Sequence, residues 1–207
     1  MKREDIEKSQ NEITDKKNNK PNGLNFNKDK TVILITGASG FIGSRLLNEF
    51  IENKEQKDVK YFIRGLSRHK NQFDIEKLRN SQVSVEIMEG DLSDYDDCVK
   101  ALSGVDIAYY LVHSMEGSSR NWKKFSEREK ITAENFMNAA NQCNVKRIIY
   151  LGGLTYGKDD DLSQHMQSRK IVGEILSKSK TKVISNKYVT YFTITLLLIF
   201  PSSQTNS

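Results

Sequence analysis

Three glycines at a spacing of three, Gly37, Gly40 and Gly43 in TGASGFIG (Thr36 to Gly43), stand between a short apolar run, Val32 to Ile35, and a helix-like run, SRLLNEFIEN. That context restricts the fold more than any other feature of the chain. A strand that turns through glycines directly into a helix opens a βαβ unit, and the pattern then repeats. Apolar runs at 31–36, 59–66, 83–88, 105–112 and 146–151 read as strands, several of them apolar on both faces, as parallel strands covered by helices are. Helical stretches separate them at 41–53, 94–103, 121–143 and 162–178. Ser93 is the expected N-cap of the second, with Asp94, Asp96 and Asp97 favourable in its first turn. In the third, Trp122, Phe125, Thr132, Ala133, Phe136, Met137 and Ala140 fall on one stripe. Strands alternating with helices predict right-handed crossovers and an α/β fold, a doubly wound parallel sheet.

In such a sheet the loop after the first strand meets a helix N-terminus, whose unpaired N–H groups and dipole attract a pyrophosphate. Gly37 would allow the tight turn, Gly40 the close approach of backbone to phosphate, and Gly43 close helix–strand packing. The same triplet would serve a glycine-rich turn with nothing bound, but its position after the first strand favours a dinucleotide. The spacing is G-x-x-G-x-x-G, not G-x-G-x-x-G.

Charge and cysteine usage narrow the function. The chain of 207 residues is long enough for one α/β domain, and its formal charge is +5. Residues 1–30 carry eight Lys/Arg against six Asp/Glu, and residues 177–207 carry four Lys and no acid. The 20 basic and 21 acidic residues between them leave no domain-sized basic patch, so no nucleic-acid partner is expected. Cys98 and Cys143 lie far apart with no metal-ligand spacing, which predicts reduced thiols in a cytoplasmic protein and no metal site. Residues 1–28 lack the apolar segment of a signal peptide and read as a disordered charged extension. Tyr188 to Phe200 is thirteen uncharged residues, three of them threonine. A spanning helix needs about 20, so a membrane span is not expected.

TGASGFIG resembles the cofactor motif of extended and atypical short-chain dehydrogenase/reductases. Further matches follow in order: Gly90-Asp91-Leu92, YYLVHSM (Tyr109 to Met115), RIIYLGGL (Arg147 to Leu154) and LSQHMQSRKIVGEIL (Leu162 to Leu176). Together they resemble the epimerase-like branch of that superfamily, the predicted nucleoside-diphosphate-sugar epimerases and NAD(P)-binding proteins. The resemblance covers residues 31–183 and implies a Rossmann-type NAD(P)-binding domain over 29–183, with the tail at 184–207 divergent. From Lys60 to Gln72 there is no acid to take the ribose 2′-OH of NAD. Arg68 stands where the superfamily's 2′-phosphate-binding arginine usually stands, and Arg64 is the alternative; a guanidinium suits a bidentate phosphate contact. NADP is therefore expected, with NAD as the other choice. By the same resemblance, Ala38, Ser39, Phe41 and Ile42 complete the glycine loop. Asp91 would hold the adenine amino group beside Leu92, and Leu111 and Val112 would line the adenosine side. His113 lies on the loop at the carboxyl edge of the sheet, where ligands bind.

The catalytic set of the superfamily is a Ser/Thr after the fifth strand and Tyr-x-x-x-Lys on the next helix. Here Gly152 and Gly153 take the serine positions, and His165 and Arg169 take those of Tyr and Lys, one helical turn apart. His165 could exchange a proton near neutral pH, Arg169 could bond the nicotinamide ribose, and Thr155 or Tyr156 could supply a hydroxyl. The resemblance thus implies an oxidoreductase or epimerase-like enzyme acting on an unknown small molecule. The substituted positions keep open a cofactor-binding regulator or assembly subunit without turnover. After KSKTKV, members of the superfamily continue through a sixth strand into a substrate-binding region. ISNKYVTYFTITLLLIFPSSQTNS matches no such region, so the sequence reads as truncated or frameshifted after the fifth strand and its helix.

Overall fold

The computed structural model of the chain describes residues 30–52, 60–79, 81, 83–112, 122–152 and 162–186. Its elements in chain order are β1 (Thr31–Thr36), α1 (Phe41–Glu52), β2 (Tyr61–Ser67), a 3-10 turn (Lys70–Gln72), α2 (Ile75–Arg79), β3 (Ser84–Glu89), α3 (Tyr95–Leu102), β4 (Ile107–Tyr110), α4 (Trp122–Gln142), β5 (Arg147–Leu151), α5 (Gln164–Ser177) and β6 (Lys182–Asn186). The six strands form one sheet in the order β3-β2-β1-β4-β5-β6, and every neighbouring pair is parallel. This is the doubly wound Rossmann-type arrangement that the alternating pattern predicts. The chain steps outward from β1 to β3, then returns to the other side of β1 at β4. The crevice at this reversal lies between the carboxyl ends of β1 and β4.

The two-residue period of β1 divides the core. Ile33 and Ile35 pack on one face with Leu46, Leu47 and Phe50 of α1 and with Ile63 and Tyr109. Val32 and Leu34 face the other side, in a larger cluster with Leu102 of α3, Phe136 and Ala140 of α4 and Leu176 of α5. Covering both faces is what makes the central strands continuously apolar, each buried aliphatic side chain contributing about 1.5–3 kcal/mol before conformational entropy is counted. The α4 stripe is placed as its spacing predicts. Phe125, Thr132, Ala133, Phe136 and Ala140 are buried and Met137 is partly so, while the side chain of Trp122 lies outside the described residues.

Two details differ from the sequence expectation. The N-cap of α3 is Asp94, not Ser93: Asp94 is extended and its carboxylate accepts the Asp97 N–H. Ser93 is diverted, since both its N–H and its hydroxyl donate to the Asp91 carboxylate at 2.8 Å. The parallel sheet also runs past residue 183. β6 pairs along β5 from Lys182 to Asn186, so a sixth strand follows α5 ahead of the uncharged run at 188–200. That run and the extension at 1–28 lie outside the described residues.

Both cysteines are free; Cys98 is fully buried and Cys143 partly. Burial, reinforced by Asp97, Asp94 and Asp91, pushes the Cys98 thiol up to about 12, which makes it a packing group and not a nucleophile. Among the described residues no helix is long and apolar enough to cross a membrane, and no three His, Cys, Asp or Glu side chains are grouped to hold a metal.

Candidate nucleotide-binding crevice

The glycine loop is shaped by what a Cβ would collide with. Gly37 has φ +62°, and a Cβ there would already touch the backbone of Leu111 and Val112 at 3.5 Å, across the reversal between β1 and β4. A Cβ on Gly43 would sit 2.2 Å from the Gly37 carbonyl oxygen, so α1 can press this close to its own loop only without a side chain. Gly40 is different. Among the described residues a Cβ there would meet only the Gly37 carbonyl oxygen, at 3.2 Å, and the residue lines the crevice. α1 begins here, its first hydrogen bond running from Ser44 N–H to Gly40 O at 2.9 Å. The Gly40 N–H is donated to the Gly37 carbonyl at 2.9 Å, whereas those of Phe41, Ile42 and Gly43 have no acceptor within the helix and, with the dipole, favour an anion there.

Residues outside the glycine triplet seat this loop. The Thr36 hydroxyl donates to the Tyr109 carbonyl at 2.9 Å and accepts the Leu111 N–H at 3.0 Å, tying the carboxyl ends of β1 and β4 together. Ala38 donates its N–H to the Leu66 carbonyl at 3.2 Å. Gly65 on β2 makes room for it: a Cβ there would lie 3.1 Å from the Ala38 Cβ and 2.9 Å from Ile87 Cδ1. The Ser39 and Ser67 hydroxyls meet at 2.9 Å. Sequence reasoning missed Gly65 and Ser67 because their importance comes from a neighbouring strand.

The loops surround a crevice of about 310 Å³. It brings together Gly37, Ser39 and Gly40 from the first loop, Arg68 after β2, Asp91 and Leu92 after β3, and Leu111 and Val112 after β4, all singled out from the sequence. Ala38 is buried beneath the loop, and Gly43 sits in the loop–helix contact. Ile42 is half-buried on α1. Phe41 is 70% exposed, with the Arg45 guanidinium 4.0 Å over its ring. His69 and Gln72, beside Arg68, and Arg128, Glu129 and Thr132 of α4 also line the crevice. The α4 residues carry no motif; only the packing of α4 against the sheet brings them there.

Arg64, the alternative phosphate ligand, is corrected by its position. It is 3% exposed, and its Nε donates to Glu86 at 3.0 Å. Its Nη1 donates to the Ala101 and Ser103 carbonyls at 2.7 and 2.9 Å, capping the C-terminus of α3. Position along the chain explains the difference: Arg64 lies within β2, where its side chain meets the end of α3, whereas Arg68 follows the last residue of the strand and stays exposed in the crevice wall.

Asp91 is held by four contacts. Its carboxylate accepts both bonds from Ser93 and pairs with Arg128 at 2.9 Å, while its N–H donates to Asp97. Partial burial pushes the Asp91 carboxyl up, but the Ser93 hydrogen bonds and the Arg128 charge outweigh it and hold the group below its ordinary value.

The candidate residues on α5 are set differently. Ser163 caps α5, its hydroxyl accepting the Met166 N–H. His165 is exposed, with its ring edge-on to Phe125 at 5.7 Å. The Arg169 guanidinium donates to the Leu151 carbonyl at the end of β5 and lies 5.9 Å from the Tyr150 ring. Tyr150 in turn donates its hydroxyl to the Arg169 carbonyl at 2.8 Å. Burial pushes this phenol up to about 12, with Arg169 lowering it and Glu129 raising it, so Tyr150 is a packing hydroxyl and not a proton-exchanging one. Neither His165 nor Arg169 lines the crevice. Gly153, Thr155, Tyr156 and His113 lie outside the described residues.

The sequence model of the NAD dependent epimerase/dehydratase family matches residues 33–191. The chain belongs to this family. The match takes in the whole crevice from β1 to α5. Among curated relatives, the chain is 23% identical over 171 residues to the 3 beta-hydroxysteroid dehydrogenase/Delta 5→4-isomerase of Mycobacterium tuberculosis, covering 76% of this chain and 41% of that protein. It is 30% identical over 128 residues to the UDP-glucose 4-epimerase of Rickettsia bellii, covering 59% of this chain and 36% of that protein. The chain thus spans less than half the length of these curated relatives. Its fold is similar to that of the Bordetella bronchiseptica enzyme WbmH in complex with NAD+, with a TM-score of 0.59 at 16% identity, over 76% of this chain and 55% of that one.

Proposed function

We propose that this chain binds NADP(H) in the crevice and forms the cofactor-binding part of an NADP-dependent oxidoreductase or epimerase-like enzyme acting on a small molecule. The observation that carries this reading is the cradle at Gly37, Gly40 and Gly43, where the positions a Cβ would fill are closed to side chains or face the crevice. The anionic pyrophosphate fits the start of α1, and the 2′-phosphate fits the exposed Arg68 at the end of β2. NAD remains the competitor that Arg68 would select against. When bound, the nicotinamide ring supplies hydride transfer; the rest falls to the chain. The glycine loop orients the pyrophosphate, Leu66 and Leu92 offer apolar surface to the adenine, and the bonds of Thr36 keep the β1 and β4 ends at fixed separation. His165 would exchange the substrate proton and Arg169 would hold the nicotinamide ribose, with Thr155, Tyr156 and His113 as supporting groups. The two free cysteines support a reducing, cytoplasmic setting.

One observation favours a second reading, binding without turnover. His165 stands exposed against Phe125 and Arg169 is tied to the Leu151 carbonyl, both outside the crevice wall. The two readings separate in one experiment. NADPH binding is measured by fluorescence titration, and an NADPH-dependent absorbance change is sought across a panel of carbonyl substrates. Turnover abolished by His165→Phe with binding retained supports the enzyme. Binding with no turnover supports the regulator or assembly subunit. No binding overturns both.

A further inference from the structure

We infer that Arg128 is a cofactor-contacting residue that covers the adenine base and selects for its flat cationic-stacking face; this rests on the NADP(H) reading above. The placement follows from topology. With the pyrophosphate on the loop after β1 and the 2′-phosphate at Arg68 after β2, the adenosine half of the dinucleotide extends toward the β3 edge. The base must then lie at the carboxyl end of β3. The crevice-lining side chains nearest that end are Leu66 and Leu92, both buried and apolar, and the Asp91–Arg128 pair.

Arg128 is well suited to that position. Its guanidinium is 2.9 Å from Asp91, half-exposed, and in the crevice wall. It is planar, permanently charged and weakly hydrated, so it can lie on a purine face while remaining paired at its edge. Its position is set by a seven-residue repeat along α4. Arg128 reaches Asp91, Asn135 donates to the Leu92 and Ser93 carbonyls at 3.2 and 2.9 Å, and Gln142 accepts the Tyr95 hydroxyl at 2.6 Å. Two turns separate each member from the next, so all three lie on one face and hold the β3–α3 connection against α4. Asn135 and Gln142 do not line the crevice; Arg128 does. The repeat therefore contains two purely tethering residues and one that also meets the ligand, and this difference makes the inference testable.

The experiment titrates NADPH, NADH and 2′,5′-ADP into the wild-type chain and the variants Arg128→Gln, Arg128→Lys and Asn135→Ala. Arg128→Gln is expected to weaken all three ligands by a similar factor, roughly 3- to 30-fold, leaving the NADPH/NADH ratio unchanged. Arg128→Lys keeps the charge facing Asp91 but loses the plane, and should be weakened nearly as much. Asn135→Ala loosens the same loop and should leave affinity near wild type. Full affinity in Arg128→Lys would overturn the inference, because pairing alone would then suffice. A loss in Asn135→Ala equal to that in Arg128→Gln would overturn it too, by reducing Arg128 to a tether. If the wild type binds and both Arg128 variants bind equally well, the inference fails alone. If the folded wild type binds none of the three ligands, the NADP(H) reading fails and the inference falls with it.

Discussion

The crevice and the α5 face beside it are held with unequal rigour. In the crevice, each loop is fixed by backbone geometry or polar contacts: the missing Cβ of Gly43, the Thr36 bonds to β4, the Gly65 gap under Ala38, and the bonds of Asp91 to Ser93, Arg128 and Asp97. On α5, His165 is exposed and Arg169 is partly buried. His165 stands edge-on to Phe125, and Arg169 serves the end of its neighbouring strand. The difference teaches that binding and chemistry are separable here. A preorganised anion site persists when the residues beyond it change, because its donors are mostly backbone. A proton relay depends on particular side chains, and these are the positions at which the resemblance finds His165 and Arg169 in place of Tyr and Lys.

The harshest way to break the crevice is Gly43→Ala. The added methyl would lie 2.2 Å from a backbone oxygen, which cannot swing away. We expect a loss of about 3 kcal/mol or more in stability and loss of NADPH binding, read by thermal melting and titration. Next comes the contrast between two arginines four residues apart. Arg64→Leu breaks the pair with Glu86 and uncaps α3, and should cost about 2–4 kcal/mol by denaturant melting while nucleotide preference is unchanged. Arg68→Ala should leave stability alone and lower NADPH affinity by about 1.5–3 kcal/mol, with NADH affinity unaffected. An equal loss for both nucleotides would mean that Arg68 meets a part of the dinucleotide they share.

That pair of arginines also shows how far the sequence was legible. The strand pattern and the glycine turn could be read in advance because each depends on local spacing; Arg68 was singled out by resemblance, and the structure places it in the crevice wall. Arg64 could not be excluded from the phosphate site until β2 was seen to turn it toward Glu86 and α3. The same holds for Asp94 replacing Ser93 as the cap: both residue types cap well, and the choice was decided by Asp91 drawing Ser93 away. Arg128, Glu129 and Thr132 reach the crevice only through helix packing, which leaves no local signature. β6 was hidden because five residues, Lys182 to Asn186, carry too little pattern without β5 beside them.

The smallest expected effect concerns acid. Asp91 is held below its ordinary value when folded, so the stability it contributes is present above the unfolded value of about 3.9 and is lost as pH falls through the lowered folded value. Its side chain is 35% exposed, so solvent screening keeps the contribution under about 1 kcal/mol. In melts between neutral pH and pH 3, Asp91→Asn should differ from wild type at neutral pH and converge with it at the acid end. A constant gap across the range would assign Asp91 a packing role instead.

The preorganised crevice is tested most directly by titrating NADPH calorimetrically into the wild-type chain and into Gly40→Val, with thermal melts confirming that the variant is folded. Gly40 is the position where a side chain meets little protein and would project toward the pyrophosphate. Saturable binding to the wild type is expected, with affinity at least about tenfold weaker in the variant, a change of about 1.4 kcal/mol. A folded Gly40→Val that binds NADPH as tightly as the wild type, or a folded wild type that binds none, would contradict that expectation.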